Sequence, residues 1–296
     1  MSLDDLMIAW FCLIDDLLPT VSEGKRLRQR GPAPKLTDSE VLTMEVIGTS
    51  LGLNQDKALF TYFRRHWTAF FPALAGVHRT TFVRQAANLW AVKERLWCAV
   101  RDDLLPYDPT VAIVDSFPLP VCQFARAYRC RRFRGEARYG KDHTAQQTFY
   151  GFRLHARVCW PGVITQMQLT PANLHEGEVV LDLTEGSMGL LLGDRNYWLP
   201  TLKQTLRERG IWLVTPFRSA KHAPAHSWSR VLGRVRYRID TLFGQLAERC
   251  GAKRMWARDL WHERNRLLRI VLMHTLAVLF NLQEEVPPLQ LERLVA

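Results

Sequence analysis

The chain has 296 residues and 47% hydrophobic content, enough for a real core in one large domain or two ordinary ones. Its 40 Lys and Arg against 29 Asp and Glu leave a net charge of +11, which favours polyanions, most simply nucleic acid. The 6 cysteines include no C-x-x-C pair, which argues against a disulfide scaffold or zinc ribbon and for a reducing cytoplasm. Cys122, Cys130 and His143 are too irregularly spaced to read as a metal site.

MSLDDLMIAWFCLIDDLL sets Leu3, Leu6, Met7, Trp10, Phe11, Ile14 and Leu18 at helical spacing. Asp4 and Asp5 stand where a signal peptide carries basic residues, so an amphipathic core helix is expected. KLTDSEVLTMEVIGTSLG opens on a capping box, with Thr37 as N-cap and Glu40 three residues later. Further helices read through KALFTYFRRHW and HRTTFVRQAANLWAVKERLW, the latter with Phe82, Val83, Ala86, Leu89 and Trp90 inward. Together they suit an all-α, helix-turn-helix-like N-terminal domain over 1–106. Its third helix then presents Arg79, Thr81, Arg84, Gln85 and Asn88, types that reach phosphates and base edges. A plain helical bundle with a solvated face has the same pattern.

After DLLPYDPT the period changes. VAIVD, FYGFRLHARVCW and GVITQMQLT read as strands, the last two joined at Pro161 and Gly162. TPANLHEGEVVLDLTEG reads as a helix, LLLGD as a strand, NYWLPTLKQTLRERG as a helix and IWLVTPF as a strand. That order predicts an α/β domain over 107–282, a mixed sheet with flanking helices. It carries a basic loop, 123–143, and a polar insertion, 216–233. Two helices follow, through RYRIDTLFGQLAERC and from 258 to 282, and then a weakly ordered tail, 283–296. The apolar run IVLMHTLAVLFNL, broken by His274 and Thr275, is too short to span a bilayer, so no membrane is expected.

Two apolar strands run into acids, Asp115 in IVDSF and Asp194 in LLGDRN. Asp115 alone reads equally as the start of a turn. Two adjacent strands ending in acids at one sheet edge, however, bring two carboxylates together. Asp240 sits at the border of the stripe formed by Ile239, Leu242, Phe243 and Leu246, where an acid can look along that edge. Oxygen-only ligands suit Mg²⁺ or Mn²⁺, and two such ions serve in-line displacement at phosphorus.

IVDSFPLPVC, FYGFRLH, TPANLHEGE, LLGDRNYW and RYRIDTLFGQL, in that order, resemble the blocks of insertion-sequence transposases with an RNase H-like DDE domain, nearest the insertion-sequence nine-eight-two group. The resemblance runs from about residue 35 to 282. It implies Asp115, Asp194 and Asp240 as catalytic, metal-binding acids, with Asp240 replacing the Glu of the family pattern and reaching about 1.5 Å less far. Glu248 is a fallback for that third position. Asn196 replaces the small residue usual after the second acid.

The resemblance further implies cleavage at the ends of an insertion sequence and strand transfer into target DNA. The partners are terminal inverted repeats, target DNA and a second copy of the chain in a dimer or larger assembly. The other readings are an RNase H-like nuclease without strand transfer and a DNA-binding protein with a decayed centre. Arg126, Arg129, Arg131, Arg132, Arg134, Arg138 and Lys141 of the basic loop, with Arg236, are placed to hold phosphates, and Tyr128 and Phe133 to stack on unpaired bases; a solvated surface loop has the same composition. His155 reads as a packing residue and His175 with Glu176 as a helix start in a supporting role, because Val179 breaks H-E-x-x-H. Ser116 is not in G-x-S-x-G, which disfavours a serine hydrolase.

Overall fold

The computed structural model describes residues 1–24, 27, 31–142, 145–216 and 230–294. His143 and most of the 216–233 insertion lie outside the described residues. The chain forms two compact units, Met1–Leu105 with Leu246–Ala296, and Pro106–Gln245.

The first unit is helical. α1 (Leu3–Val21) is capped by Ser2, and α2 (Asp38–Ser50) by the box read from the sequence. In that box Thr37 Oγ1 accepts from the Glu40 N–H at 3.1 Å and Glu40 Oε2 accepts from the Thr37 N–H at 2.6 Å. α3 (Asp56–His66), α4 (Arg79–Asn88) and α5 (Trp90–Ala99) follow, the stretch expected as one helix breaking at Leu89.

α9 (Leu260–Gln283), last in the chain, packs on α2, α4 and α5. Its residues from Leu267 to Leu279 are buried without a break, and a helix apolar all round needs cover on every side. The helical unit supplies that cover, so 246–282 joins the first unit rather than a sheet domain running to 282. At 24 residues α9 is long and apolar enough to cross a bilayer, which corrects the sequence reading on length. Its burial marks it as a core helix of this unit. Leu291 and Leu294 are buried too, and Asn281 Nδ2 donates to the Pro288 carbonyl at 3.1 Å, so the tail expected to be weakly ordered packs back.

The second unit is a mixed sheet. Its strands are β1 (Asp108–Pro120), β2 (Arg138–Asp142), β3 (Gln147–Trp160), β4 (Val163–Pro171), β5 (Gly189–Leu192) and β6 (Ile211–Val214). They lie in the order β2-β3-β1-β5-β6, with β4 also on β3. β1, β3 and β4 form an antiparallel meander, while β5 and β6 run parallel to β1. Helices α6 (Glu176–Leu183), α7 (Pro200–Glu208) and α8 (Arg230–Gly244) complete the unit. This is the mixed sheet with flanking helices expected from the sequence.

Strand alternation sorts the faces. Ala112, Val114 and Leu191 enter a core with Val179, Val180, Leu202 and Leu206, which covers one face with α6 and α7. Phe117, of opposite parity, meets Phe243 of α8 at 4.8 Å on the other. Gly189, at φ 98°, starts β5 so close to β1 that a Cβ there would lie 2.4 Å from the Thr110 carbonyl oxygen. Glycine therefore permits the β1–β5 pairing on which the site depends.

Candidate active site

The parallel β1–β5 ladder ends with Ile113 opposite Leu192. Asp115 stands two residues further along β1, and Asp194 lies just past the end of β5, capping the short turn Arg195–Tyr197. Asp115 is not the last residue of its strand, as expected, because antiparallel pairing with β3 carries β1 on to Pro120. It is nevertheless where β1 loses its parallel neighbour, and that opens the crevice.

Each acid is braced by the next peptide. Asp115 Oδ1 accepts from the Ser116 N–H at 2.7 Å, and Asp194 Oδ1 accepts from the Arg195 N–H at 2.6 Å. Arg236, on α8, pairs with Asp194 at 3.2 Å. Asp240 lies one turn further along α8, at the exposed margin. Burial raises its carboxyl above the ordinary range, Arg236 opposes that rise and Asp194 adds to it.

Glu176, given only a supporting role from the sequence, is a fourth acid here. Its Oε1 accepts from Ser116 Oγ at 2.7 Å and from Arg153 Nη1 at 2.8 Å. Its Oε2 is buried with no hydrogen-bond partner among the described residues, as is Tyr197 Oη. Asp115 is pushed up to about 7, first by burial, with Glu176 and Asp194 adding and the Ser116 N–H and Arg236 opposing. The same acids, after burial, hold the Tyr197 phenol well above its ordinary value. The pocket is thus short of positive charge.

An all-oxygen donor set and a carboxyl that resists ionisation fit a hard divalent cation. The fit is pairwise. Among the described residues, no three His, Cys, Asp or Glu side chains gather closely enough to hold a metal ion. Asp115 and Asp194 lie close enough for Asp194 to raise the Asp115 carboxyl, and Asp240 reaches them electrostatically through Asp194 and Arg236. Glu248, the fallback, lies in the turn Gln245–Arg249, whose residues from Leu246 on belong to the helical unit.

The other expected residues divide by burial. Arg126, Arg129, Arg131, Arg134 and Lys141 are exposed, and Tyr128 is 78% exposed with Arg129 over its ring. Phe133 is not available for stacking, because it is buried against Phe152. Arg132 donates to the Val121 carbonyl, and Arg138, though exposed, to those of Gly135 and Ala137, so both brace the loop. His155 is buried on Thr170 and its pKa is lowered to about 3 by burial and Arg153, which suits packing. In the helical unit Arg79, Arg84 and Asn88 share an exposed face of α4. Gln85 does not join them. It is buried, and its Nε2 donates to the Leu36 carbonyl and Asp38 Oδ1.

The sequence profile of the family described as "Transposase DDE domain" matches residues 108–258. No curated protein matches. Among solved structures, the chain is similar to the protein in a cryo-EM structure of the piggyBac transposase synaptic complex with hairpin DNA. That overlay has a TM-score of 0.44 and 10% identity, covering 100% of this chain and 85% of the other.

Proposed function

The chain belongs to the transposases with a DDE domain, and on that premise we propose that it is a metal-dependent DNA transposase of a bacterial insertion sequence, of the nine-eight-two group. The observation that supports the reading is the approach of Asp194, just past the end of β5, to the buried Asp115 of the neighbouring β1, which it helps to push up to about 7.

Asp115, Asp194 and Asp240 would hold two Mg²⁺ or Mn²⁺ ions, which supply charge neutralisation at phosphorus and an activated oxygen nucleophile. The chain's own groups position the rest. Ser116, tied to Glu176 and Arg153, fixes β1 beside Asp115. Arg236 spans one turn of α8 between Asp194 and Asp240 and can turn from carboxylate to phosphate. The exposed cations of loop 123–143 neutralise the DNA backbone. Water would then displace the 3′-oxygen at an element end, and the freed 3′-hydroxyl would attack a target phosphodiester and expel the target's own 3′-oxygen, with no covalent enzyme intermediate. Arg79, Arg84 and Asn88 contact the terminal inverted repeats. Pairing two ends calls for a dimer or larger assembly, working in the cytoplasm.

The test is a supercoiled plasmid bearing an element end, incubated with the protein and Mg²⁺ or Mn²⁺. Nicked and joined products are expected, and Asp115→Ala or Asp194→Ala should lose both while still binding DNA. Nicking without joining would instead indicate a nuclease. Asp240 at the exposed margin favours a second reading, a DNA-binding protein with a decayed centre, and binding without any cleavage in Mn²⁺ would establish it.

A further inference from the structure

The helical unit holds a cleft of about 730 Å³, within the size range of small-ligand pockets, roughly 300–1,000 Å³. One wall is the exposed face of α4, with Arg79, Arg84 and Asn88, and Lys57 of α3 stands nearby. Among the described residues none of these three cations has an ion-pair partner. The acid of the cleft, Asp56, is already neutralised by Arg266 at 2.5 Å and Arg269 at 3.1 Å.

The opposite wall is aromatic. Trp256 is 63% exposed and Trp261 48% exposed, an unusual outlay of indole surface beside unpaired cations. The Trp261 ring and the backbone before Trp256 are held in place. Trp261 meets Trp90 edge-on at 5.6 Å, and Arg264 lies over Trp90 at 4.8 Å. Arg266 donates both to the Met255 carbonyl and to Asp56 Oδ2, tying the segment before Trp256 to the start of α3. Trp256 itself stands at φ 56°, a left-handed conformation that costs a bulky side chain energy and recurs at ligand clamps.

Cations opposite open indole faces suit a particular ligand. Paired bases are stacked on one another and offer no face to a tryptophan, whereas an unpaired base offers two. We propose that this cleft seats one unpaired DNA nucleotide, its base against Trp256 and Trp261 and its phosphate on Lys57, Arg79 and Arg84. The site rests on the reading of DNA as the partner, but its lining lies wholly in the helical unit, to which neither Asp115 nor Asp194 belongs. It would let that unit distinguish an opened or flapped end from continuous duplex.

The experiment measures fluorescence anisotropy of labelled oligothymidylate and of a duplex of equal length, with the full chain in EDTA so that nothing is cut. Trp256→Ala and Trp261→Ala should each weaken oligothymidylate binding about tenfold while changing duplex affinity less than about twofold. Trp256→Tyr, which keeps a stacking face, should restore most of the loss and guards against misfolding. Arg84→Ala should weaken both probes. Unchanged oligothymidylate affinity in both tryptophan variants, an equal loss on duplex, or no oligothymidylate binding by the unsubstituted protein would each overturn the proposal. Failure of the transposase reading would appear elsewhere, as absent plasmid cleavage with these binding differences intact.

Discussion

In the helical unit Lys93 closes on Glu45 at 2.5 Å, and Arg269 bridges Glu45 and Asp56 at 3.6 and 3.1 Å. In the sheet unit Arg153 pairs with Glu176 and Arg236 with Asp194, while Asp115 has no ion pair among the described residues. Both regions bury charge against a large desolvation cost, but only the first settles it internally. Burial is the main pull lowering Lys93, and Glu45 opposes it. Burial raises Asp115, and its nearest acids push the same way. A closed set of ion pairs fixes a fold. An open set of carboxylates suits the proposed metal site.

Breaking the closed set should have the largest effect. Lys93→Met leaves Glu45 buried beside Arg269 alone and should cost about 3–5 kcal/mol in urea unfolding. Changing Glu45 and Lys93 together to leucine should recover more than half of that. An unaltered midpoint in the single variant would mean that the pair contributes nothing to the fold.

Asp115→Asn should do the reverse. Because the folded carboxyl has the higher pKa, the folded state holds its proton longer than the unfolded chain. Its favourable contribution is complete below about pH 4 and is lost as pH rises through about 7. Thermal unfolding without metal should therefore show Asp115→Asn gaining up to about 4 kcal/mol at pH 8 and little at pH 4. Identical pH profiles for the two proteins would refute the open-site account.

Next in size is the cation itself. Mg²⁺ or Mn²⁺ at about a hundred times its dissociation constant should stabilise by about 2.7 kcal/mol at pH 8 and by less at pH 5, where protons compete. Asp115→Asn should abolish the shift. The smallest effect separates the third acids: Asp240→Glu adds one methylene of reach and should speed plasmid cleavage a few-fold. If Asp240→Ala and Asp240→Glu both cleave at the original rate while Glu176→Gln does not, Glu176 completes the site instead.

The strands β1 and β5 were legible because strands announce themselves as apolar runs, and an acid following such a run stands out. The capping box at Thr37 was legible for a similar local reason. Glu176 was not, since its meeting with Ser116 joins residues 60 apart and its own surroundings read as a helix start. β2 hid in a basic loop because an edge strand tolerates charge, and RYGKD lacks the apolar alternation of a covered one. Gln85 had the chemistry of a base reader, and only packing turned its amide inward. The unit to which α9 belongs was hidden too, because a helix apolar all round carries no directional signal.

That last feature has a consequence for synthesis. Residues 106–245 are contiguous, so this unit can fold on the ribosome once its last helix has emerged. The helical unit cannot, because its central cover arrives only when the chain has been translated through Gln283. Prematurely terminated copies would carry a finished carboxylate pocket and an unfinished helical unit, exposing the apolar flank of α2 to chaperones and proteases.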